Sequence, residues 1–243
     1  MKQKIFIPFY FLAIFAGLYL SSCTKENTPP LASLGFTDST ETKDSLDNTN
    51  FGIYKCVLTG TTGRIKFHFR NGDTIMKAVL TVDSLSDTLT CTETWVRGEP
   101  VIAAYFQGRI SSLTFTTDAT GENASIDNII IRNRINVFGV IAHERSNEQV
   151  YCYETKFTGN QKGNFNFIKY GNLAQGLARN EGGDTYIGKG LVTGNIFKLN
   201  LNGPLGMVRI FQGGIEGITL DYISGSWIET SAMSGVFNGT RTQ

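Results

Sequence analysis

Four cysteines, Cys23, Cys56, Cys91 and Cys152, are the residues of this sequence with the widest choice of covalent chemistry. A thiol can carry a lipid, form a disulfide, bind a metal or act as a nucleophile. No two of these cysteines have the C-x-x-C spacing, which argues against a redox or zinc site. Lipidation and disulfide formation are therefore the reactions to consider.

Cys23 follows a segment laid out like a signal peptide. Lys2 and Lys4 precede a stretch from Ile5 to Ser22 without charged residues. Leu20-Ser21-Ser22-Cys23 matches the lipobox of bacterial lipoproteins, in which small residues admit the signal peptidase and the thiol takes a diacylglyceryl group. We predict cleavage after residue 22 and anchorage through acylated Cys23, since each buried methylene contributes about 0.8 kcal/mol. An uncleaved anchor helix and an ordinary secretory signal are the alternatives.

The alternation of side chains along a strand predicts the face on which each of the other three cysteines lies. Cys56 shares a predicted apolar face with Tyr54, and Cys91 lies on a similar face, so the two either form an internal disulfide or remain reduced in the core. Cys152 shares a face with Glu154 and is predicted to be exposed and unpaired.

Side chains suited to acid and base chemistry form no recognisable pattern. His68 and His143 are predicted to be surface residues, and no histidine spacing indicates a metal site. Glu154, Asp221 and Glu229 are candidates for a hydrolytic carboxylate pair, which needs only to converge in space. Each is predicted to be an exposed strand residue. We predict no catalytic, cofactor-binding or metal-binding residue.

Two kinds of loop resemble ligand sites but are predicted to be turns. Asp118 to Asn123 has some likeness to a calcium loop without its full spacing. The pairs Gly182-Gly183 and Gly213-Gly214 lack the helix N-terminus of a phosphate cradle.

The balance of charged residues indicates which classes of partner to expect. The 22 Lys and Arg against 21 Asp and Glu give a net charge of +1. This balance offers no electrostatic reason to expect nucleic acid. The predicted partner is the lipid bilayer, reached through Cys23, and a protein or glycan partner is not identified.

From residue 51 onward, short apolar runs alternate with period two. Ile65, Phe67 and Phe69 alternate with polar residues up to a turn at Asn71-Gly72. Further turns are predicted at Gly171-Asn172, Gly182-Gly183, Gly194-Asn195, Asn202-Gly203, Gly213-Gly214 and Ser224-Gly225-Ser226. The pattern predicts an all-β fold, a hairpin-rich antiparallel barrel or sandwich with very little helix.

An internal repeat divides this region. The segment from Tyr54 to Gly60 has a counterpart from Tyr153 to Gly159, each with a Thr-Gly turn. The repeat predicts two related β units of about 95 residues, 51–147 and 148–243, that pack together. A single continuous barrel or a curved sheet built from both halves is the alternative. Residues 23–50 are predicted to comprise the lipidated Cys23 and a flexible linker, because the segment is polar and has no apolar periodicity.

Several motifs, including one at the end of the chain, resemble those of a group of known proteins. A strand opening with Tyr-x4-Thr-Gly, glycine-rich hairpins, and Ser234-Gly-Val-Phe237-Asn-Gly239-Thr-Arg241 are similar to uncharacterised β-rich lipoproteins of Gram-negative bacteria. The resemblance implies an outer-membrane lipoprotein of unassigned role and brings no catalytic residues. Thr24 after the lipidated cysteine favours the outer membrane, on its periplasmic face or at the cell surface.

Three functions are therefore considered. The first is a non-enzymatic envelope lipoprotein with a structural, adhesive or interaction role. The second is a calycin-like barrel that holds a small apolar or glycan ligand, although Gly225-Ser226-Trp227 lies near the C-terminus and not on the first strand, as it would in a lipocalin. The third is a carboxylate-based hydrolase.

Overall fold

The computed structural model describes residues 39–72, 74–83, 85–217 and 219–243. The predicted signal peptide and Cys23 lie outside these residues. Within them, the only helical turns are two short 3-10 helices, Asp44–Leu46 and Pro204–Gly206, as the alternating pattern predicts. The same residues include no helix that is long and apolar enough to cross a membrane.

The first half of the described chain forms an eight-stranded antiparallel sheet. Its spatial order is β7-β6-β5-β4-β3-β2-β1-β8, so the chain runs as a meander until β8 returns to pair with β1. The strands are β1 (Gly52–Thr59), β2 (Gly63–Phe69), β3 (Met76–Val82), β4 (Leu85–Thr90), β5 (Val101–Gln107), β6 (Ser111–Thr117), β7 (Ser125–Ile131) and β8 (Phe138–Glu144).

The second half forms a closed eight-stranded barrel. Each strand pairs with the next, and β16 returns to pair with β9, with Phe237 opposite Phe157. The strands are β9 (Val150–Gly159), β10 (Gly163–Tyr170), β11 (Leu173–Asn180), β12 (Thr185–Thr193), β13 (Ile196–Asn202), β14 (Val208–Glu216), β15 (Tyr222–Glu229) and β16 (Ser234–Arg241). The all-β fold in two related units is thus confirmed.

The sequence repeat corresponds to equivalent strand pairs. In the sheet Tyr54 of β1 lies opposite Phe67 of β2, and in the barrel Tyr153 of β9 lies opposite Phe167 of β10. All four side chains are fully buried. Burial of an aromatic side chain at the same register position of each first hairpin explains why the pattern is visible in the sequence.

Aromatic rings fill the interior of the barrel. Phe165 stacks on Phe211 with ring centroids 3.9 Å apart, and Phe157 meets Trp227 edge to face at 5.4 Å. Trp227 and Phe237 come from the last hairpin and are 1% and 3% exposed. The predicted closing hairpin therefore supplies core rings, and aromatic side chains fill the barrel interior.

Two predicted turns are wrong. Gly213-Gly214 lies inside β14, and Ser224-Gly225-Ser226 lies inside β15. Gly213 and Gly225 face each other across the two strands, and a Cβ at either would lie within 3 Å of the Phe237 ring. These glycines make room for a core ring, and the sequence cannot distinguish that use of glycine from a turn.

The sheet and the barrel share an apolar junction, at which Val57, Val140 and Ala142 of the sheet pack with Val150, Cys152, Ile168 and Leu177 of the barrel. The Asn166 side-chain amide crosses this junction and donates to the Leu58 carbonyl oxygen at 2.6 Å.

The junction corrects the prediction for Cys152. Its side chain lies on the outer face of the barrel, as the alternation with its neighbours indicates, but that face is covered by the sheet and Cys152 is fully buried. An outward position on a strand means exposure only where no other unit packs against it.

The predicted linker ends earlier than residue 50. Leu46 is 5% exposed and Asn50 is fully buried, and the Thr42 hydroxyl accepts a hydrogen bond from the Ile53 backbone N–H at 3.1 Å. Thr40 donates to the Ser146 carbonyl oxygen at 2.6 Å. Residues 40–50 are therefore a packed part of the sheet unit, held by polar contacts that an apolar-periodicity search does not detect.

Candidate functional site

The predicted lipidation residue, Cys23, lies outside the described residues, so its role remains a prediction. The other three cysteines are free thiols and are buried. Burial raises the pKa of Cys56 well above its ordinary value and that of Cys152 to about 12. Cys56 and Cys91 are not bonded to each other in the structure, and the disulfide between them stays a prediction. Neutral, buried thiols are poor nucleophiles and poor metal ligands.

The acidic residues considered for a hydrolytic pair do not converge. Asp221 immediately precedes β15 and Glu229 ends it, so they lie at opposite ends of one strand, separated by about 26 Å at 3.3 Å per residue. A glycosidase pair needs carboxyl groups about 5 to 9.5 Å apart. Both side chains are buried, which corrects the prediction that they are exposed. Glu154 is partly buried on β9, and burial raises its pKa.

One end of the barrel interior is closed by a buried ion pair. Arg209 is fully buried, and its Nε donates to Glu229 Oε2 at 3.0 Å. Its guanidinium also lies over the ring of Tyr186, 4.1 Å from the centroid, and over Trp227 at 4.6 Å. Burial would raise the pKa of Glu229, but hydrogen bonds from Ser231 and Arg209 outweigh it and hold the pKa below its ordinary value.

The opposite end carries a second pair. Arg241 Nη1 lies 3.7 Å from Asp221 Oδ1, and the same atom donates to the Thr219 carbonyl oxygen at 3.1 Å. The guanidinium stacks over Tyr151 at 4.6 Å. Both carboxylates that looked like candidate catalysts are thus counterions of buried arginines.

These arginines were missed at the sequence level, although a signal exists. Arg209 is in phase with Phe211 on β14, and Arg241 is in phase with Phe237 on β16. An arginine that alternates in register with core aromatics faces the interior and therefore needs a buried partner.

The two histidines have different surroundings. His68 is half-buried on β2, whereas His143 is only 8% exposed, which corrects its prediction as a surface residue. The His143 ring stacks on Tyr54, with centroids 4.5 Å apart. A Cβ on Gly121 would lie 2.9 Å from His143 Cε1, so a glycine there leaves room for the ring. Burial, with a smaller contribution from Arg145, lowers the pKa of His143 to about 4.

The calcium-like segment is the β6–β7 turn, as predicted. Asp118 Oδ1 accepts hydrogen bonds from the Thr120 backbone N–H at 3.1 Å and from its hydroxyl at 2.9 Å, while Oδ2 accepts from Asn123. The Asp118 carboxylate therefore stabilises its own turn through these hydrogen bonds. The part of the chain that the structure describes contains no group of three His, Cys, Asp or Glu side chains placed to hold a metal.

A cleft of about 750 Å³ opens where the sheet meets the barrel. We call it the junction cleft. It is lined by the β1–β2 turn, Gly60 to Thr62, and by the region of the β9–β10 turn, including Thr158 and Lys162. These are the two equivalent Thr-Gly turns of the sequence repeat, which the fold brings together at one place. The volume is typical of small-ligand sites, roughly 300 to 1,000 Å³.

The junction cleft is positively charged. Its charged lining residues are Arg134, Lys156, Lys162, Arg179, Asp83 and Glu181, an excess of two positive charges. Arg134 forms an ion pair with Asp83, and Arg179 Nη1 donates to the Asn136 carbonyl oxygen at 2.7 Å.

Gly60 permits this arrangement. Its φ of +91° is one that side chains rarely adopt, and a Cβ there would lie 2.9 Å from Arg179 Nη1. The turn thus lets the guanidinium lie directly against the backbone.

Comparisons with known proteins find remote structural similarity only. No protein-family model matches the chain, and no curated protein matches it. A crystal structure of a mutant of the vaccine antigen Transferrin Binding Protein B from Actinobacillus pleuropneumoniae H49 aligns with a TM-score of 0.33 and 11% identity, over 78% of this chain and 99% of that one. A structure described as a surface lipoprotein aligns at 0.31 and 10% identity, over 78% and 98%. The function is therefore inferred from the residues and geometry of this chain.

Proposed function

We propose that this chain is a non-enzymatic lipoprotein of the bacterial cell envelope, anchored through acylated Cys23, with an interaction role for its β units. The observation that carries the proposal is Leu20-Ser21-Ser22-Cys23 at the end of an uncharged N-terminal segment. A cysteine after two small residues is the substrate that diacylglyceryl transfer and signal cleavage require.

The arrangement of the buried charges supports a role without catalysis. Asp221 and Glu229 are held by Arg241 and Arg209 at opposite ends of the barrel. A catalytic acid needs access to substrate and a pKa near the working pH, whereas Glu229 has a lowered pKa and is only 5% exposed. These pairs stabilise the two ends of a filled barrel.

The packed interior also disfavours the calycin-like alternative. Phe165, Phe211 and Phe157 are buried in the barrel core, and a charged pair lies at each end. An apolar ligand would have to displace these rings. We therefore assign the interaction role to the outer surfaces and to the junction cleft.

Fatty-acid labelling tests the anchor. Cells that express the full chain are fed an alkyne fatty acid, and the protein is isolated and checked for label. We expect label on the natural chain, none on Cys23→Ser, and undiminished label on the control Cys91→Ser, whose cysteine is buried in the sheet unit. An unlabelled natural chain, or label retained in Cys23→Ser, would contradict the proposal.

A second experiment measures on which side of the outer membrane the β units lie. Since Thr24 and not Asp follows Cys23, we place the anchor in the outer membrane. Digestion of intact cells with a non-penetrating protease should release peptides from residues 51–243 if the domain faces outward. Protection in sealed cells would place the interaction partner in the periplasm.

A further inference from the structure

We propose that the junction cleft binds a small anionic saccharide, a sugar that carries a phosphate or carboxylate group. This proposal rests on the interaction role proposed above and supplies its ligand. Four cationic side chains against two anionic ones line a site of about 750 Å³ in a chain whose net charge is only +1. The positive charge is therefore concentrated locally and draws an anion to this site.

The two arginines of the cleft contact protein partners, whereas the two lysines form no ion pair with a described residue. Arg134 is fixed by Asp83, and Arg179 by the Asn136 carbonyl oxygen. Lys156 and Lys162 are exposed and form no ion pair with a described residue. Guanidinium groups suit an anion because their N–H groups form forked hydrogen bonds, and the two lysine ammonium groups supply positive charge that no described carboxylate neutralises.

Neutral polar groups beside these cations suit the hydroxyl groups of a sugar. Thr62, Thr158 and Asn164 line the cleft. Thr61 also lines it, is 8% exposed, and its hydroxyl has no hydrogen-bond partner among the described residues. A buried hydroxyl left unpaired is costly, and a small local shift would let it pair with a ligand hydroxyl.

The lining argues against a nucleotide. Phe157 is its one aromatic side chain within the described residues, and it is only 1% exposed because the ring belongs to the barrel core. Recognition of a base relies mainly on stacking against an accessible aromatic ring, and this lining offers none.

Calorimetric titration of the full chain, purified in mild detergent, tests the proposal. The probes are glucose 6-phosphate, glucuronate, glucose and inorganic phosphate. We expect glucose 6-phosphate or glucuronate to bind at least about tenfold more tightly than glucose, because glucose cannot make the charge-assisted hydrogen bonds. The tighter of the two anionic sugars identifies the anion. Failure of both to bind, or inorganic phosphate binding as tightly as they do, would overturn the proposal.

Variants locate the site. Lys156→Gln with Lys162→Gln should weaken binding of the anionic sugar by about tenfold or more. The control is Lys189→Gln with Lys198→Gln, two exposed lysines on the outer faces of β12 and β13 that do not line the cleft, and it should leave the affinity unchanged. Equal losses in both double variants would assign the effect to general charge and refute the site. Fatty-acid labelling of Cys23 is independent of these lysines, so failure of this proposal and failure of the anchor are separable.

Discussion

The sheet and the barrel contain the same number of antiparallel strands but complete their hydrogen bonding differently. In the barrel every strand has two neighbours, since β16 pairs with β9 along seven register positions. In the sheet β7 and β8 are the two ends of the strand order, and β4 and β5 share a single register pair, Thr90 opposite Gln107. The two edge strands of the barrel pair with each other. In the sheet the two end strands do not pair, and one neighbouring strand pair is joined at a single position.

The sheet compensates with contacts from outside its own strands. Glu144 of β8 is fully buried, forms an ion pair with Lys55, and accepts the Glu41 backbone N–H at 2.7 Å. It also lies 3.4 Å from the backbone N–H of Val150, the first residue of the barrel. One carboxylate thus links the preceding segment, the sheet and the barrel. The sheet therefore depends on the junction, whereas the barrel depends on its own interior.

Breaking the ion pair inside the barrel should have the largest effect. Arg209→Met leaves Glu229 buried without its counterion, so we expect a loss of about 3 to 5 kcal/mol in the free energy of unfolding, measured with urea. The double variant Arg209→Met with Glu229→Met should recover most of this loss, because no buried charge remains. The exposed Arg109→Met is the control and should change stability by less than about 0.5 kcal/mol. An Arg209→Met loss no larger than the control would show that the barrel does not depend on this pair.

Loosening the junction should have the next largest effect and should act on the sheet. Leu177 lies on the outer face of β11 and is fully buried there, so Leu177→Ala should cost about 3 kcal/mol. Leu191, on the outer face of β12, is 60% exposed, and Leu191→Ala should cost under about 0.5 kcal/mol.

Hydrogen exchange separates the two units in this experiment. We expect amides of β1 and β8 to exchange faster in Leu177→Ala, while those of β13 and β14 keep their protection. Equal acceleration in both units would mean that the barrel depends on the sheet as much as the sheet depends on the barrel.

Acid should weaken the sheet through His143, with the most gradual effect, because the loss is spread over more than two pH units. The pKa of His143 is about 4 in the folded chain against an ordinary 6.5, because of burial and the nearby Arg145, despite the opposing charges of Asp47 and Asp118. Between pH 6.5 and 4 the unfolded chain binds a proton that the folded chain does not. Stability therefore falls as pH falls through this window, by about 3 kcal/mol in total, and this contribution levels off below about pH 4.

Urea unfolding at several pH values checks this expectation. His143→Phe should remove most of the fall in stability between pH 6.5 and 5, a range above the ordinary pKa of a carboxyl group, and the half-buried His68→Gln should retain it. A slope that persists in His143→Phe would assign the acid sensitivity to other groups.

Alternation and turn chemistry predicted much of the fold from the sequence. The alternating Ile65, Phe67 and Phe69 become the buried face of β2, and Asn71-Gly72 becomes the β2–β3 turn. Predictions failed where a residue's role depends on a distant strand, as for Gly213, which makes room for the Phe237 ring.

The candidate site was less accessible to sequence reasoning. Its two Thr-Gly turns were visible as a repeat, but nothing in their spacing placed them at one cleft. Lys156 and Arg134 are 22 residues apart in sequence order and come from different units. Charges gathered from separate turns have no local signature, because their proximity results from long-range packing.

The sequence alone determined the lipobox, the period-two strands and the repeat, because each depends on residues close together in the chain. Only the tertiary structure decided that the end strands pair in one unit, β9 with β16, and do not pair in the other, and that Cys152, His143, Asp221 and Glu229 are buried. Strand alternation assigns a side chain to a face of a sheet. What covers that face, and therefore whether a charge there is solvated or paired, depends on strands that are distant in the sequence.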